Sequence, residues 1–184
     1  MTNASLRLLV IAGVLILAVA ALAGAKPASA AEQRIDVVEQ IGVLRQQTWN
    51  WQRLMKVRRT PTAYEERTSV STTFLESLRD LWRTRAERAR TRAQDPPHEP
   101  AWRCIHRHEA AEAGGWSAST GNGYYGGLQM SVQFQVALAP ELVRRKGTAD
   151  NWSAVEQMWV AERAVRRGYG FTPWPSSARA CGLL

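Results

Sequence analysis

The 184-residue sequence predicts a mainly α-helical protein with little strand, in which a helical hairpin leads into a domain of mixed α+β type. Residues 32–57 and about 70–93 both repeat apolar side chains at three- and four-residue steps, the mark of amphipathic helices. The stretch QDPPHEP, residues 94–100, then interrupts that pattern, because consecutive prolines cannot continue a helix. Beyond it the helical runs are shorter, and a glycine-rich polar segment at 114–127 leaves room only for loop or short strand. The chain accordingly divides into residues 1–30, a hairpin at 31–93, a linker at 94–100 and a domain at 101–184.

Residues 1–30 read as a targeting segment. Arg7 precedes an uncharged apolar run from Leu8 to Ala25, and Ala28-Ser29-Ala30 supplies the small-x-small pattern of a signal-peptidase site, with the cut before Ala31. The run also approaches the length of a spanning helix, so an uncleaved anchor is the alternative. In either case the rest of the chain is expected to be secreted or held at the cell envelope, with membrane contact only if the segment stays attached. Cys104 and Cys181 agree with that compartment, where a lone pair of cysteines is expected to be bridged, closing a loop of 77 residues.

The formal charge is +8, and removing residues 1–30 takes away only Arg7 and Lys26, leaving +6. Such a charge draws anionic partners such as wall polymers or phospholipid headgroups. Nucleic acid is set aside as a partner, since no binding motif accompanies the arginines and the compartment is wrong.

In the first helix Val38, Ile41, Leu44, Thr48, Trp51 and Met55 form the expected inward stripe, with Arg45, Gln46, Asn50 and Arg53 off it. Pro61 ends the pattern; Leu75, Leu78, Trp82 and Ala89 resume it, backed by Arg79, Arg83, Glu87 and Arg90. Two such stripes predict an antiparallel pair. Of the tryptophans at 49 and 51, one is expected in the core of that pair and one on its surface. The arginine run at 83–94 reads as a solvated helix face, or as a dedicated wall-binding face, and the hairpin as a whole could dock a cell-wall protein partner. In the domain, helices are expected over Trp102–Ala113, Leu128–Ala139, a short PELVRRK segment, and a longer run from Thr148 to Gly168. Thr148 or Asp150 would cap that last helix, and Val155, Met158, Trp159, Glu162, Ala164 and Val165 would face inward. The tail from Tyr169 reads as extended and proline-broken.

Chemistry concentrates between Cys104 and Met130. Cys104, His106, His108 and Glu109 resemble metal ligands, but on a helix 106 points away from 104 and 108, and no second cluster completes a site. No metal or other cofactor is expected, and a bridged Cys104 has no thiolate for nucleophilic catalysis. Glu109 lies on the apolar side of its helix with Trp102 and Ile105. There a carboxyl is costly to ionise and suited to donate a proton, unless it merely pairs with Arg103, Arg107 or Arg163. The following TGNGYYGGLQM carries Gly121, Gly123, Gly126 and Gly127, which admit positive φ and close approach, beside Asn122, Tyr124, Tyr125 and Gln129, side chains that suit sugar rings and N-acetyl groups.

These residues resemble a known family. Trp102 through Glu109, TGNGYYGGLQM, EQMWVAERA at 156–164 and PWPSSARACG near the end look like the transglycosylase-like domain of the resuscitation-promoting factors. More distantly they are similar to soluble lytic transglycosylases and goose-type lysozymes. The resemblance covers residues 101–184 and leaves the hairpin aside. It implies a lysozyme-like α+β domain that cleaves the β-1,4 bond between N-acetylmuramic acid and N-acetylglucosamine in peptidoglycan glycan strands. It also implies a single catalytic Glu at position 109, cleft residues at Tyr124 and Gln129, and a disulfide between Cys104 and Cys181. The sequence departs from the family in three places. His108, not a cysteine, precedes the glutamate. EAGGW offers Glu112 as a rival, since the family's spacing to the glutamine falls between the twenty residues from Glu109 and the seventeen from Glu112. A threonine expected after the glutamine is replaced near Phe134. No second carboxylate stands ready, so one acid with help from the substrate's own groups is the implied mechanism. The rival functions are a wall-binding or signalling protein that holds glycan without cutting it, and a scaffold whose hairpin docks a membrane or protein.

Overall fold

The computed structural model describes residues 29–184. The targeting segment and its apolar run lie outside the described residues, apart from Ser29 and Ala30. Helix α1, Ala30–Leu54, opens on a capping box in which Ser29 accepts from the Glu32 amide and Glu32 from that of Ser29. The cut expected before Ala31 therefore falls at the start of this helix. A short helix α2, Glu65–Thr68, and a long helix α3, Thr72–Gln94, follow; Ser71 caps α3.

The two long helices pack on one another as expected, but they run parallel, not antiparallel. Val37 and Ile41 near the start of α1 cluster with Leu75 and Leu78 near the start of α3, while Leu54, Met55 and Ala93 at the two C-terminal ends share the other cluster. The cause is the connection. Helix α1 is about 37 Å long at 1.5 Å per residue, and the segment 57–71 reaches on the order of 50 Å when extended, enough to carry the chain back to the other end. The return segment is held along the way: the Trp49 indole donates to Thr60 O at 2.9 Å and Trp82 to Glu66 Oε2 at 3.1 Å. Arg59 lies 3.3 Å over the Trp49 ring, and Trp49 meets Trp82 edge-on. Facing α3 shifts the buried row of α1 to Val37, Ile41 and Thr48, leaving Val38 half exposed. Neither Trp49 nor Trp51 is purely surface; both are half-buried, against different clusters.

The ends of the helix pair join the core of the rest of the chain. Arg163 donates to Leu54 O, Arg166 to Met55 O and the Trp159 indole to Ala93 O. Helix α4, Glu99–Glu109, begins earlier than expected because Pro100 sits in its first turn, where no amide is needed. A 3-10 turn at Gly115–Ser117 follows, then the antiparallel strands β1, Tyr124–Tyr125, and β2, Met130–Ser131, paired Tyr124 to Ser131 and Tyr125 to Met130. Ser131 caps α5, Val132–Leu138, so that helix starts later than expected; α6 is Pro140–Lys146.

The single helix expected from Thr148 is two pieces. A 3-10 turn at Ala149–Asn151 precedes α7, Ala154–Arg166, capped not by Thr148 or Asp150 but by the capping box of Ser153 and Glu156. Helix α7 runs through the middle of the core, with residues 157–164 all buried, Met158, Val160 and Ala161 completely. Most of its buried polar groups are occupied, while Gln157 Oε1 and Arg163 Nε have no hydrogen-bond partner among the described residues. The Gln157 amide donates to Trp116 O, Ala149 O and Trp152 O, and Glu162 accepts from the Trp102 indole at 2.7 Å and from the His98 amide. The tail is not extended throughout: α8, Pro175–Ala180, forms with Pro175 in its first turn. No helix among the described residues is long and apolar enough to cross a membrane.

Candidate active site

Glu109 is the last residue of α4. Its helix is fixed from below, since Trp102 and Ile105 have no exposure and Trp102 is bonded to the buried Glu162. The end of the helix stays half-buried, and there the Ser177 hydroxyl of α8 donates to Glu109 Oε1. No arginine pairs with Glu109 among the described residues: Arg103 takes Glu99 and Arg163 takes Glu141. A disulfide between Cys104 and Cys181 ties the middle of α4 to the residue after α8, with Cα atoms 6.0 Å apart. Helices α4 and α8 thus hold the carboxyl between them.

The glycine-rich loop closes the third side. His106, one turn before Glu109, contacts Gly127 O through Nδ1 at 2.9 Å and stacks on Trp116 at 4.1 Å. With a carbonyl as partner, Nδ1 is the protonated nitrogen. The Trp174 indole, at the start of α8, donates to Leu128 O at 2.6 Å. Gly126 has φ +76°, and a Cβ there would lie 2.5 Å from Gln157 Oε1; at Gly127 it would lie 2.6 Å from both His106 and Trp116. These two glycines therefore serve close packing of the loop on α4 and α7, while Gly121 and Gly123, at φ +75° and +86°, shape its free turn.

The expected glycan-facing side chains differ in freedom. Tyr124 is half exposed, Tyr125 packs partly against the core, and Asn122 Oδ1 accepts from the Tyr124 amide. Gln129 takes a positive φ of +44° and folds back so that its amide donates to Gly126 O. Glu112 is exposed on the turn that follows α4. The nitrogen of His108 and the sulfurs of Cys104 and Cys181 lie within 4.8 Å of one another, but both sulfurs are spent in the S–S bond. Two contacts were not anticipated from the sequence. The helical steps from Trp102 to His106 and on to Glu109 were a legible sign that His106 faces the loop. Nothing local marked Ser177, 68 residues from its partner.

A family model described as a transglycosylase-like domain matches residues 97–177. Resuscitation-promoting factor RpfE of Mycobacterium tuberculosis is 37% identical over 92 residues, 47% of this chain and 49% of that protein. Resuscitation-promoting factor Rpf1 of Corynebacterium glutamicum is 33% identical over 75 residues, 41% of this chain and 37% of that protein. The chain spans about half the length, or less, of these relatives. No solved structure matches it. Residues 97–177, which hold α4, the glycine-rich loop and the start of α8, thus match a transglycosylase-like domain model, and the chain is similar over part of its length to the resuscitation-promoting factors.

Proposed function

We propose that this chain is an exported peptidoglycan-cleaving enzyme whose catalytic domain spans residues 101–184, with the N-terminal helices as its attachment to other wall components. The carrying observation is the carboxyl of Glu109, half-buried, bonded to Ser177 and set one turn beyond the His106 contact to the loop, within the stretch that matches the transglycosylase-like model. In this reading protonated Glu109 gives its proton to the oxygen of the β-1,4 bond between N-acetylmuramic acid and N-acetylglucosamine. A glycosidase of the two-carboxylate kind needs a second acid roughly 5–9 Å away. Glu112 stands on the exposed turn, and Glu162 is consumed by Trp102 and His98. As the C1–O bond breaks, the developing oxocarbenium ion is relieved by the substrate: the muramic acid hydroxyl closes on C1 and returns its proton to the Glu109 carboxylate, leaving an anhydro product, or the N-acetyl oxygen closes on C1 to a ring that water then opens. Asn122, Tyr124, Tyr125 and Gln129 supply the glycan contacts.

Incubation of the chain with purified peptidoglycan and mass analysis of the released muropeptides tests this. Glu109→Gln is expected to lower the rate by about 10²- to 10⁴-fold, and Glu112→Gln to leave most of it. The opposite pattern moves the acid to Glu112. Binding of glycan with no product from the intact chain would establish a holding protein instead of an enzyme.

A further inference from the structure

A hollow of about 260 Å³ opens between α1, α6 and α7. It is separate from the candidate active site, since neither Glu109, Glu112 nor any residue of the glycine-rich loop lines it. Its size falls just below the range of pockets for drug-sized molecules, about 300–1,000 Å³, so it has room for a smaller ligand. Gln47, Asn50 and Trp51 reach it from one face of α1, at helical spacing, because the buried row of that helix is turned toward α3 instead. Glu141 of α6, with Glu156 and Arg163 of α7, forms the opposite wall.

The polar groups around this hollow are incompletely used. Trp49, Trp82, Trp102, Trp152, Trp159 and Trp174 all donate their indole N–H within the protein. Trp51 and Trp116 do not among the described residues, and Trp116 is the ring stacked on His106 beside the glycine-rich loop. Trp51 is half-buried, with no other ring and no cation over it among the described residues, and a half-buried indole ordinarily finds an acceptor. Beside it the Gln47 amide and Asn50 Nδ2 have no partner among the described residues, Asn50 Oδ1 taking Gln46 and Arg53. Across the hollow, Lys146 and both donors of Ser153 meet Glu156 Oε2, which leaves Oε1 without one. The Nε of the buried Arg163 is unpartnered as well.

The formal charges, by contrast, already answer one another. Glu141 holds Lys56 and Arg163, Glu156 holds Lys146, and Arg53 and Arg145 donate to Asn50 and to Glu141 O. A charged ligand of either sign would have to displace one of these contacts. What remains is a set of donors and acceptors side by side, next to an indole. A hydroxyl group both donates and accepts, so a ring bearing several can meet Gln47, Asn50 and Glu156 Oε1 together. The C–H face of such a ring carries the slight positive charge that the negative face of an indole attracts. A peptide strand binds along a sheet edge or a long groove, and neither strand of the structure lines this hollow. We infer that the hollow is a binding site for a saccharide unit, held on α1 by Gln47, Asn50 and Trp51. It needs no catalysis, and shares with the proposed activity only the class of ligand.

The test is a titration of the full chain, and of its Glu109→Gln variant so that no ligand is cut, with the N-acetylglucosamine tetramer and with maltotetraose, followed through the indole N–H signals by NMR. The Trp51 signal, identified as the one missing from Trp51→Phe, is expected to shift saturably with at least one of the two sugars and to keep that shift in Tyr124→Ala. Gln47→Ala/Asn50→Ala changes two exposed positions, and circular dichroism verifies its folding. Read at the same signal, it is expected to lose about tenfold or more in affinity. A shift confined to Trp116 would keep the glycine-rich loop as a glycan site and overturn this one. So would a Trp51 signal unmoved by both sugars, loss of its shift in Tyr124→Ala, or unchanged affinity in the double variant. A stronger response to cadaverine or to a blocked dipeptide than to either sugar would likewise overturn the saccharide as occupant.

Discussion

Ser177 and Gly127 show how single residues set the candidate site. The Ser177 hydroxyl orients the carboxyl of Glu109 from the neighbouring helix, and Ser177→Ala removes one hydrogen bond without opening the core. Loss of about 1 kcal/mol from positioning would slow turnover about fivefold, with KM little changed and the thermal midpoint close to wild type. Muropeptide release at saturating substrate measures it. Gly127 carries the opposite risk. A methyl group there collides with His106 and Trp116, neither of which can withdraw without breaking the stack between them. Gly127→Ala is expected to destabilise the fold by roughly 1–3 kcal/mol, read as a shift in the urea midpoint. The glycine-rich run drew notice in the sequence as a place for ligand approach, and at this position the space is already filled by the protein itself.

At the scale of elements, α6 and α7 are coupled through Glu141. Burial pushes its pKa up, but its own backbone amide, Arg163 and Lys56 outweigh that and hold the carboxyl below the ordinary glutamate range. Because the folded value is the lower one, the stability it contributes is present above the unfolded value of about 4.3 and is lost as pH falls through the folded one. Glu141→Gln should therefore melt below the wild type at pH 7, and the gap should close on acidification below about pH 4. A constant gap across that range would mean the charge is not responsible. The element boundaries that escaped the sequence pattern were set by caps and pairing. Ser153 with Glu156 starts α7, Ser131 starts α5, and Pro100 and Pro175 begin helices where prolines were read as breaks.

Across the whole molecule, the Cys104–Cys181 bridge closes a 77-residue loop that contains nearly all of the residues matching the transglycosylase-like model. By loop entropy it contributes roughly 4–5 kcal/mol. Reduction, or Cys104→Ala with Cys181→Ala, should lower the urea midpoint accordingly and reduce glycan cleavage before α1 and α3 unfold. By itself the sequence determined the helical class, the two long amphipathic helices, the pairing of its only two cysteines, the family resemblance of its last eighty-odd residues and the carboxylates worth testing. These follow from periodicity, composition and short motifs, which are properties of neighbouring residues. Only the tertiary structure decided that α1 and α3 run parallel, that Ser177 is bonded to Glu109, and that His106 locks the loop. Each of those joins residues distant along the chain, and the free energy of such contacts depends on how the return segment, α7 and α8 pack, which no local pattern encodes.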